Sequence, residues 1–330
     1  MKIHKIISAD QSLLRLQTAE LRLGQKILKN NLNFQKNDNV LIVTDIRFYK
    51  KEAAIWFETA KTLTDKVQMI VLAGMTHSGQ EPPDEVVQAC AQANITILHT
   101  KFSLTHSKAG KAVVRNNHRG ASLPGVNYKI MRRTLTTDYH KIKKLGEEIK
   151  AKLQKANTIH ISSPSETNFS AAIRQKAIFN DGGILKNGEL GNLPAGEVFF
   201  APIKGSSQGT WIINGALADF KLKKPIKVTI KNGLAVKFES ESNNHQLAQA
   251  LEEKLKKIGP DAFNIAEIGI GTNPKTNPLG KMIEAEKALK TAHIAFGNSS
   301  CIGGEVDVPI HLDALTLKPI IKIDGKKLAL

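Results

Sequence analysis

The side chains best suited to chemistry lie in the second half of the chain. His311 and Asp313 stand two apart in Val308-Pro-Ile-His-Leu-Asp-Ala-Leu315. On a β-strand, positions i and i+2 share a face. Ile310, Leu312 and Ala314 then face one way, and an imidazole and a carboxylate face the other. That pair suits a divalent metal ion, although a structural His–Asp hydrogen bond uses the same two residues. Glu286 and His293 are seven apart in Glu284-Ala-Glu-Lys-Ala-Leu-Lys-Thr-Ala-His-Ile-Ala-Phe-Gly297, about two turns if one helix runs through them. The competing reading is a surface helix with ordinary Glu–Lys charges. Glu197, in Asn192-Leu-Pro-Ala-Gly-Glu-Val-Phe-Phe-Ala-Pro202, and Glu267, in Asn264-Ile-Ala-Glu-Ile-Gly-Ile-Gly-Thr-Asn273, are embedded in apolar sequence. A buried carboxylate needs a partner, and unless these two point outward a metal is one candidate. Together Glu197, Glu267, Glu286, His293, His311 and Asp313 form an oxygen-rich set with two imidazoles, which fits one or two ions such as Zn, Co or Mn. Two ions ~3.5–4 Å apart acidify a shared water and polarise a carbonyl. A further glutamate can take the water's proton.

The elements that must position this set follow from the patterning. Asn39–Asp45, Val67–Leu72 and Ile95–Thr100 are short apolar runs, as buried parallel strands show. Helical spacing separates them at Ala53–Thr64 and Pro83–Ala93. This βαβ rhythm predicts an α/β N-terminal domain with a mostly parallel sheet. An amphipathic helix follows over Thr137–Ala156. Thr158–Ser162 alternates after it, and from there the texture changes to glycine-bounded strands: Gly196–Pro202, Gly209–Gly215, and Ile226–Ile230 joined to Leu234–Phe238 by an Asn232-Gly233 hairpin turn. A helix over about His245–Lys257 interrupts them. The reading is an α+β C-terminal metal-binding domain, with residues 1–156 and 157–330 as the two domains.

Composition removes several function classes. The 330 residues are 41% apolar and 23% charged, within the range of globular proteins and far from disorder. Cys90 and Cys301 are the two cysteines, so a disulfide scaffold and a CxxC zinc site are excluded, and free thiols fit a cytoplasmic setting. No apolar run reaches 18 residues, and the basic N-terminus lacks a signal-peptide core, so no membrane association is expected. Neither GxGxxG nor GxxxxGK[ST] follows the strands, which argues against nucleotide binding. The formal charge of +17 attracts anions without specificity. The basic residues are dispersed and aromatics make up only 5%, so no specific nucleic-acid partner is expected.

The order and spacing of these segments resemble the aminopeptidase T family of metallopeptidases. The resemblance rests on Asn192–Phe199, Ala266–Asn273, Glu284-x-Glu-Lys287, His293–Asn298, Gly303-Gly304 and Ile310–Asp313. Thr136-Thr-Asp-Tyr139, Arg174 and Asp181-Gly-Gly183 add to it. It covers roughly residues 130–325 and implies a homodimer with a two-metal site that releases N-terminal residues from peptides. Carried over, Glu197, Glu267, Glu286, His293, His311 and Asp313 would be ligands, Glu267 would also transfer a proton, and Arg174 would meet a substrate carboxylate. The leading expectation is therefore a metal-dependent aminopeptidase-like hydrolase. Ser300 stands where the family's peptidases carry a tyrosine, and a serine hydroxyl reaches less far toward an oxyanion. The fold also resembles that of ring-cleaving dihydroxypyridine dioxygenases, which use a single iron. In that alternative, acting on a small molecule, His293, His311 and Asp313 would supply a 2-His-1-carboxylate triad.

Overall fold

The computed structural model describes residues 1–218, 220–240 and 245–330. Its chain forms two compact units. One is built from Met1–Tyr139 and Gly183–Ala195, the other from His140–Gly182 and Gly196–Leu330. The division falls earlier than the boundary expected near residue 157, because the amphipathic helix packs Ile149 and Leu153 into the core of the second unit. The chain also re-enters the first unit over residues 183–195, a return that no composition shift announces.

The first unit contains β1 (Lys2–Ser8), α1 (Thr18–Lys26), β2 (Val40–Asp45), α2 (Glu52–Lys61), β3 (Val67–Ala73), α3 (Asp84–Gln92), β4 (Ile95–His99), α4 (Lys108–Arg115), β5 (Arg119–Ser122) and α5 (Tyr128–Thr134). Its sheet has the order β1-β3-β2-β4-β5-β8, the last strand being Leu190–Asn192 from the returning segment. Every pairing is parallel except that of β1, which runs antiparallel to β3. All six residues of β2 and all five of β4 are buried, as expected of parallel strands covered on both faces.

The second unit opens with α6 (Tyr139–Leu153), β6 (Thr158–Ser162) and β7 (Asn168–Asp181). After the excursion follow β9 (Glu197–Pro202), β10 (Gln208–Ile213), β11 (Ile226–Lys231), β12 (Leu234–Ser240), α7 (His245–Lys256), β13 (Ile265–Gly271), α8 (Met282–Ala285), β14 (Thr291–Gly297), β15 (His311–Leu317), β16 (Ile320–Ile323) and β17 (Lys326–Lys327). They form an eleven-stranded sheet of order β12-β11-β10-β7-β9-β13-β14-β15, with β6, β16 and β17 attached through β7. Each pairing in it is antiparallel. In coarse terms the fold is α/β. Among the described residues no helix is long and apolar enough to cross a membrane.

Candidate metal centre

Sheet register assembles the centre. Across the antiparallel strands β7, β9, β13, β14 and β15, Asp181 lies opposite Glu197 and Glu197 opposite Gly271. Gly269 lies opposite His293, and Glu267 opposite Ala295. Ala295 is in turn opposite Asp313, and Gly297 opposite His311. Residues directly opposite one another point to the same face. Asp181, Glu197, Glu267, His293, His311 and Asp313 therefore crowd one face of the sheet. The other face carries Val198, Phe200, Ile268, Ile270, Ile294, Phe296 and Leu312, all part of the apolar core. Alternation drives one set into that core and leaves the charged set to gather on the reverse.

Glycine on the charged face makes room. A Cβ at Gly269 would lie 2.0 Å from His293 Cε1, so the imidazole rests flat against bare backbone. Gly196 holds φ at +132° immediately before Glu197, with Asn273 pressed against its α-carbon. A larger residue is excluded there both by conformation and by space.

Distances define two overlapping three-residue groups able to hold a metal ion, Glu197–Glu267–His293 and Glu267–His311–Asp313. Glu267 belongs to both. Its Oε1 accepts from His293 Nε2 at 3.1 Å, and its Oε2 lies 3.6 Å from His311 Nε2. Asp313 Oδ1 is 3.4 Å from the same His311 nitrogen. The Nδ1–H of His311 donates to the Asn298 carbonyl at 2.9 Å. That bond orients the ring and leaves Nε2 to face the carboxylates, the arrangement a metal-binding histidine needs. Glu197 Oε2, 3.5 Å from His293 Nε2, is buried without a hydrogen-bond partner. An unpartnered buried carboxylate oxygen beside an imidazole is costly unless a cation is shared. On this observation the residues fit a metal ion.

A second cationic position lies next to the first. Lys287 is buried, and its ammonium donates to Glu197 Oε1. Glu286 Oε1 is 2.9 Å away and Asp181 Oδ2 3.8 Å. The segment that delivers it follows α8 and is pinned beside β13: Asn273 N–H donates to the Lys287 carbonyl, and Leu289 N–H to the Asn273 carbonyl. The cluster thus runs from a dry end at Lys287 to a wet end at His311, whose side chain is 36% exposed.

Five carboxylates (Asp181, Glu197, Glu267, Glu286 and Asp313) surround one ammonium and two imidazoles. Burial by itself would lower the His293 pKa. The hydrogen bond to Glu267 and the charges of Glu197, Glu267 and Asp313 instead raise it to about 9. His311 moves the same way: burial opposes the rise, while Asp313 and then Glu267 drive it. Solvent at its exposed edge screens that rise. Burial, followed by the charges of Asp313 and Glu197, lifts Glu286 to about 8 against the pull of Lys287. Asp313 is held down at about 2 by His311, in spite of its burial. Both imidazoles are being enlisted as cations, the role a divalent ion would take over with release of their protons.

The expected residues mostly converge. Glu197, Glu267, His293, His311 and Asp313 meet as described, and Glu286 joins through Lys287 rather than through a histidine. The expected helix through Glu286 and His293 is corrected. The helix α8 ends at Ala285, Lys290 adopts a φ of +63°, and His293 lies on β14. Arg174, on β7, is ion-paired to Glu305. Ser300 donates to Asn298 Oδ1 at 3.0 Å and lies at the exposed rim. Lys287 was missed, because Glu-Ala-Glu-Lys reads as a solvated helix face. It entered the sequence reading only as the end of the Glu284-x-Glu-Lys287 motif, and its other signal is the apolar run that begins five residues later, at Ala292. Asp181 entered the sequence reading only within a glycine motif.

The chain matches the family model for 2,5-dihydroxypyridine 5,6-dioxygenase (NicX) over residues 31–329. Among solved structures it is similar to the 2,5-dihydroxypyridine dioxygenase from Pseudomonas putida KT2440. That match has a TM-score of 0.77 at 19% identity and covers 98% of this chain and 96% of that one. It is also similar to wild-type AmpT from Thermus thermophilus, with a TM-score of 0.65 at 16% identity over 94% and 97% of the two chains. At these identities the structural likenesses establish the fold. No curated protein matches the sequence. The aminopeptidase reading, with its hydrolase and protease assignments, is overturned by the family match and by the dioxygenase neighbour. AmpT remains similar in fold. Since the match extends over almost all of its length, this chain belongs to the 2,5-dihydroxypyridine 5,6-dioxygenase family.

Proposed function

We propose that the chain is a mononuclear non-haem iron dioxygenase that opens the ring of a dihydroxylated N-heteroaromatic substrate of the 2,5-dihydroxypyridine class. His293, His311 and Asp313 would hold the iron. The observation that carries this reading is the convergence of both imidazole Nε2 atoms on Glu267, with Asp313 beside His311. A 2-His-1-carboxylate set is the ligand type that suits ferrous iron while leaving coordination positions open. Bound there, iron would supply the oxygen-activating redox chemistry that side chains lack.

The chain's own residues do the rest. Asn298 fixes the His311 ring through its backbone carbonyl. Gly269 lets His293 lie close to β13. Glu267, within reach of both imidazoles, is placed to hold a proton from a substrate hydroxyl, a general-base role. The exposed edge of His311 marks the side from which a flat ring can enter, and the apolar face behind the strands keeps water from the opposite side. A small-molecule substrate replaces the peptide of the earlier expectation.

The test is anaerobic loading with Fe(II), followed by addition of 2,5-dihydroxypyridine and oxygen. We expect loss of the ring's ultraviolet absorbance with one oxygen molecule consumed per ring, and incorporation of both atoms from labelled oxygen. An iron-loaded, folded chain that consumes no oxygen with any dihydroxypyridine isomer refutes the proposal.

A further inference from the structure

We infer that Lys287 is a built-in cation that holds the place of a second metal ion and so restricts the centre to one. The inference rests on the mononuclear reading above and extends it to what sets the number of ions. Three carboxylates point at the Lys287 ammonium: Glu197, Glu286 and Asp181. Glu197 is buried, Glu286 and Asp181 are half-buried, and the lysine itself is 2% exposed. Oxygen ligands converging on one point are what a hard divalent cation takes. Here a primary ammonium with three donors occupies that point instead.

Glu197 links the two positions. Its Oε1 accepts from Lys287, while its Oε2 faces His293 with no hydrogen-bond partner. A carboxylate with one oxygen on each of two adjacent cations is the bridging element of a two-metal site. In this chain one of those cations is tethered covalently to the backbone. It arrives on the segment Glu286–Leu289, clamped beside Asn273 by two backbone hydrogen bonds. The ammonium therefore cannot be exchanged or chelated away. It neutralises charge without offering a Lewis-acidic centre, so this position cannot acidify a water. A buried lysine is a poor choice for stability alone, because removing an ammonium from water is expensive. Its use is intelligible if a second exchangeable ion has to be kept out.

The experiment compares Mn(II) binding to the full-length wild-type chain, Lys287→Met, Lys287→Ala and Lys287→Arg. Stoichiometry is read by calorimetry and by elemental analysis after gel filtration, with circular dichroism recorded with and without the ion. The wild type and Lys287→Arg are expected to bind one ion per chain. The Met and Ala variants are expected to bind two, the second being displaced from the Ala variant by propylammonium. Variants that fold only when Mn(II) is present, and then at two ions per chain, support the inference equally. Folded Met and Ala variants that bind a single ion overturn it, as do variants that stay unfolded at every Mn(II) concentration. A wild-type chain that binds two ions overturns it too. No turnover is measured here, so failure leaves the dioxygenase reading to its own assay.

Discussion

Each unit buries a histidine completely, and the two are treated in opposite ways. His99, at the end of β4, accepts from Trp56 Nε1 at 2.8 Å through Nδ1 and donates to the Val126 carbonyl at 2.6 Å through Nε2. Both nitrogens are satisfied in the neutral ring, no carboxylate is among these partners, and burial lowers its pKa to about 4. His293 is equally buried, but its partners are Glu267 and Glu197, and its pKa rises to about 9. Burial pushes both down; what differs is whether the available acceptors carry charge. A buried imidazole is thus neutral and structural in one unit and drawn toward its charged form by carboxylates in the other, and the local carboxylate count tells them apart.

The harshest test removes a charged partner from the second unit. Asp313→Asn keeps the shape of the side chain but takes away a proposed ligand. Iron retention after gel filtration should fall to background, with ring-opening activity down by about 10³-fold or more. A variant that keeps its iron removes Asp313 from the ligand set. Next comes acid. The folded pKa of His99 lies below its unfolded value, so the neutral ring contributes stability fully above pH 6.5. That stability is lost as the pH falls from 6.5 through about 4, a loss of about 3 kcal/mol. Urea unfolding at pH 7, 5 and 4 should therefore show a steeper decline for the wild type than for His99→Phe; parallel declines would contradict the neutral assignment. In the second unit the sign reverses. For metal-stripped protein, the raised His293 contributes stability below pH 6.5 that fades as the pH rises through about 9, until a metal ion takes the proton's place. A smaller effect is expected of Gly269→Ala. Its Cβ must push the His293 ring aside, weakening metal affinity by about 10–100-fold with little change in the thermal midpoint of the stripped protein. Unchanged affinity would show that the imidazole has room to shift. The mildest change is Trp56→Phe, which leaves His99 Nδ1 without its donor and should cost about 1–2 kcal/mol in denaturant unfolding.

Much of the scaffold was readable from the residues. The buried runs around Val43, Ile70 and Ile97 gave three parallel strands in place, because strands covered on both faces are apolar throughout. The pairing of His311 with Asp313 also followed from strand alternation alone. The path through Glu286 did not. Ala-Glu-Lys-Ala-Leu-Lys scores well as helix, yet the seven buried residues of β14 pull the chain into the sheet two positions before His293. Lys287 stayed invisible for a related reason. A lysine after a glutamate is nearly always solvated, and only the register of β7 and β9, strands far from it in sequence, sets Asp181 and Glu197 beside it together with its neighbour Glu286. The dioxygenase and peptidase readings share their ligand types. What separates them here is the family match, not the spacing of the motifs.

The return of the chain over residues 183–195 bears on how the protein is made. The first sheet is one strand short until Leu190–Asn192 has left the ribosome. Until then β5 presents an open parallel edge, the kind of surface that recruits foreign strands. A nascent chain stalled between residues 140 and 182, or a fragment trimmed to Tyr139, carries that edge uncapped and is a natural client for chaperones. The strand that closes it falls between Asp181 and Glu197, so translation completes the first sheet between the first and second carboxylates of the cluster.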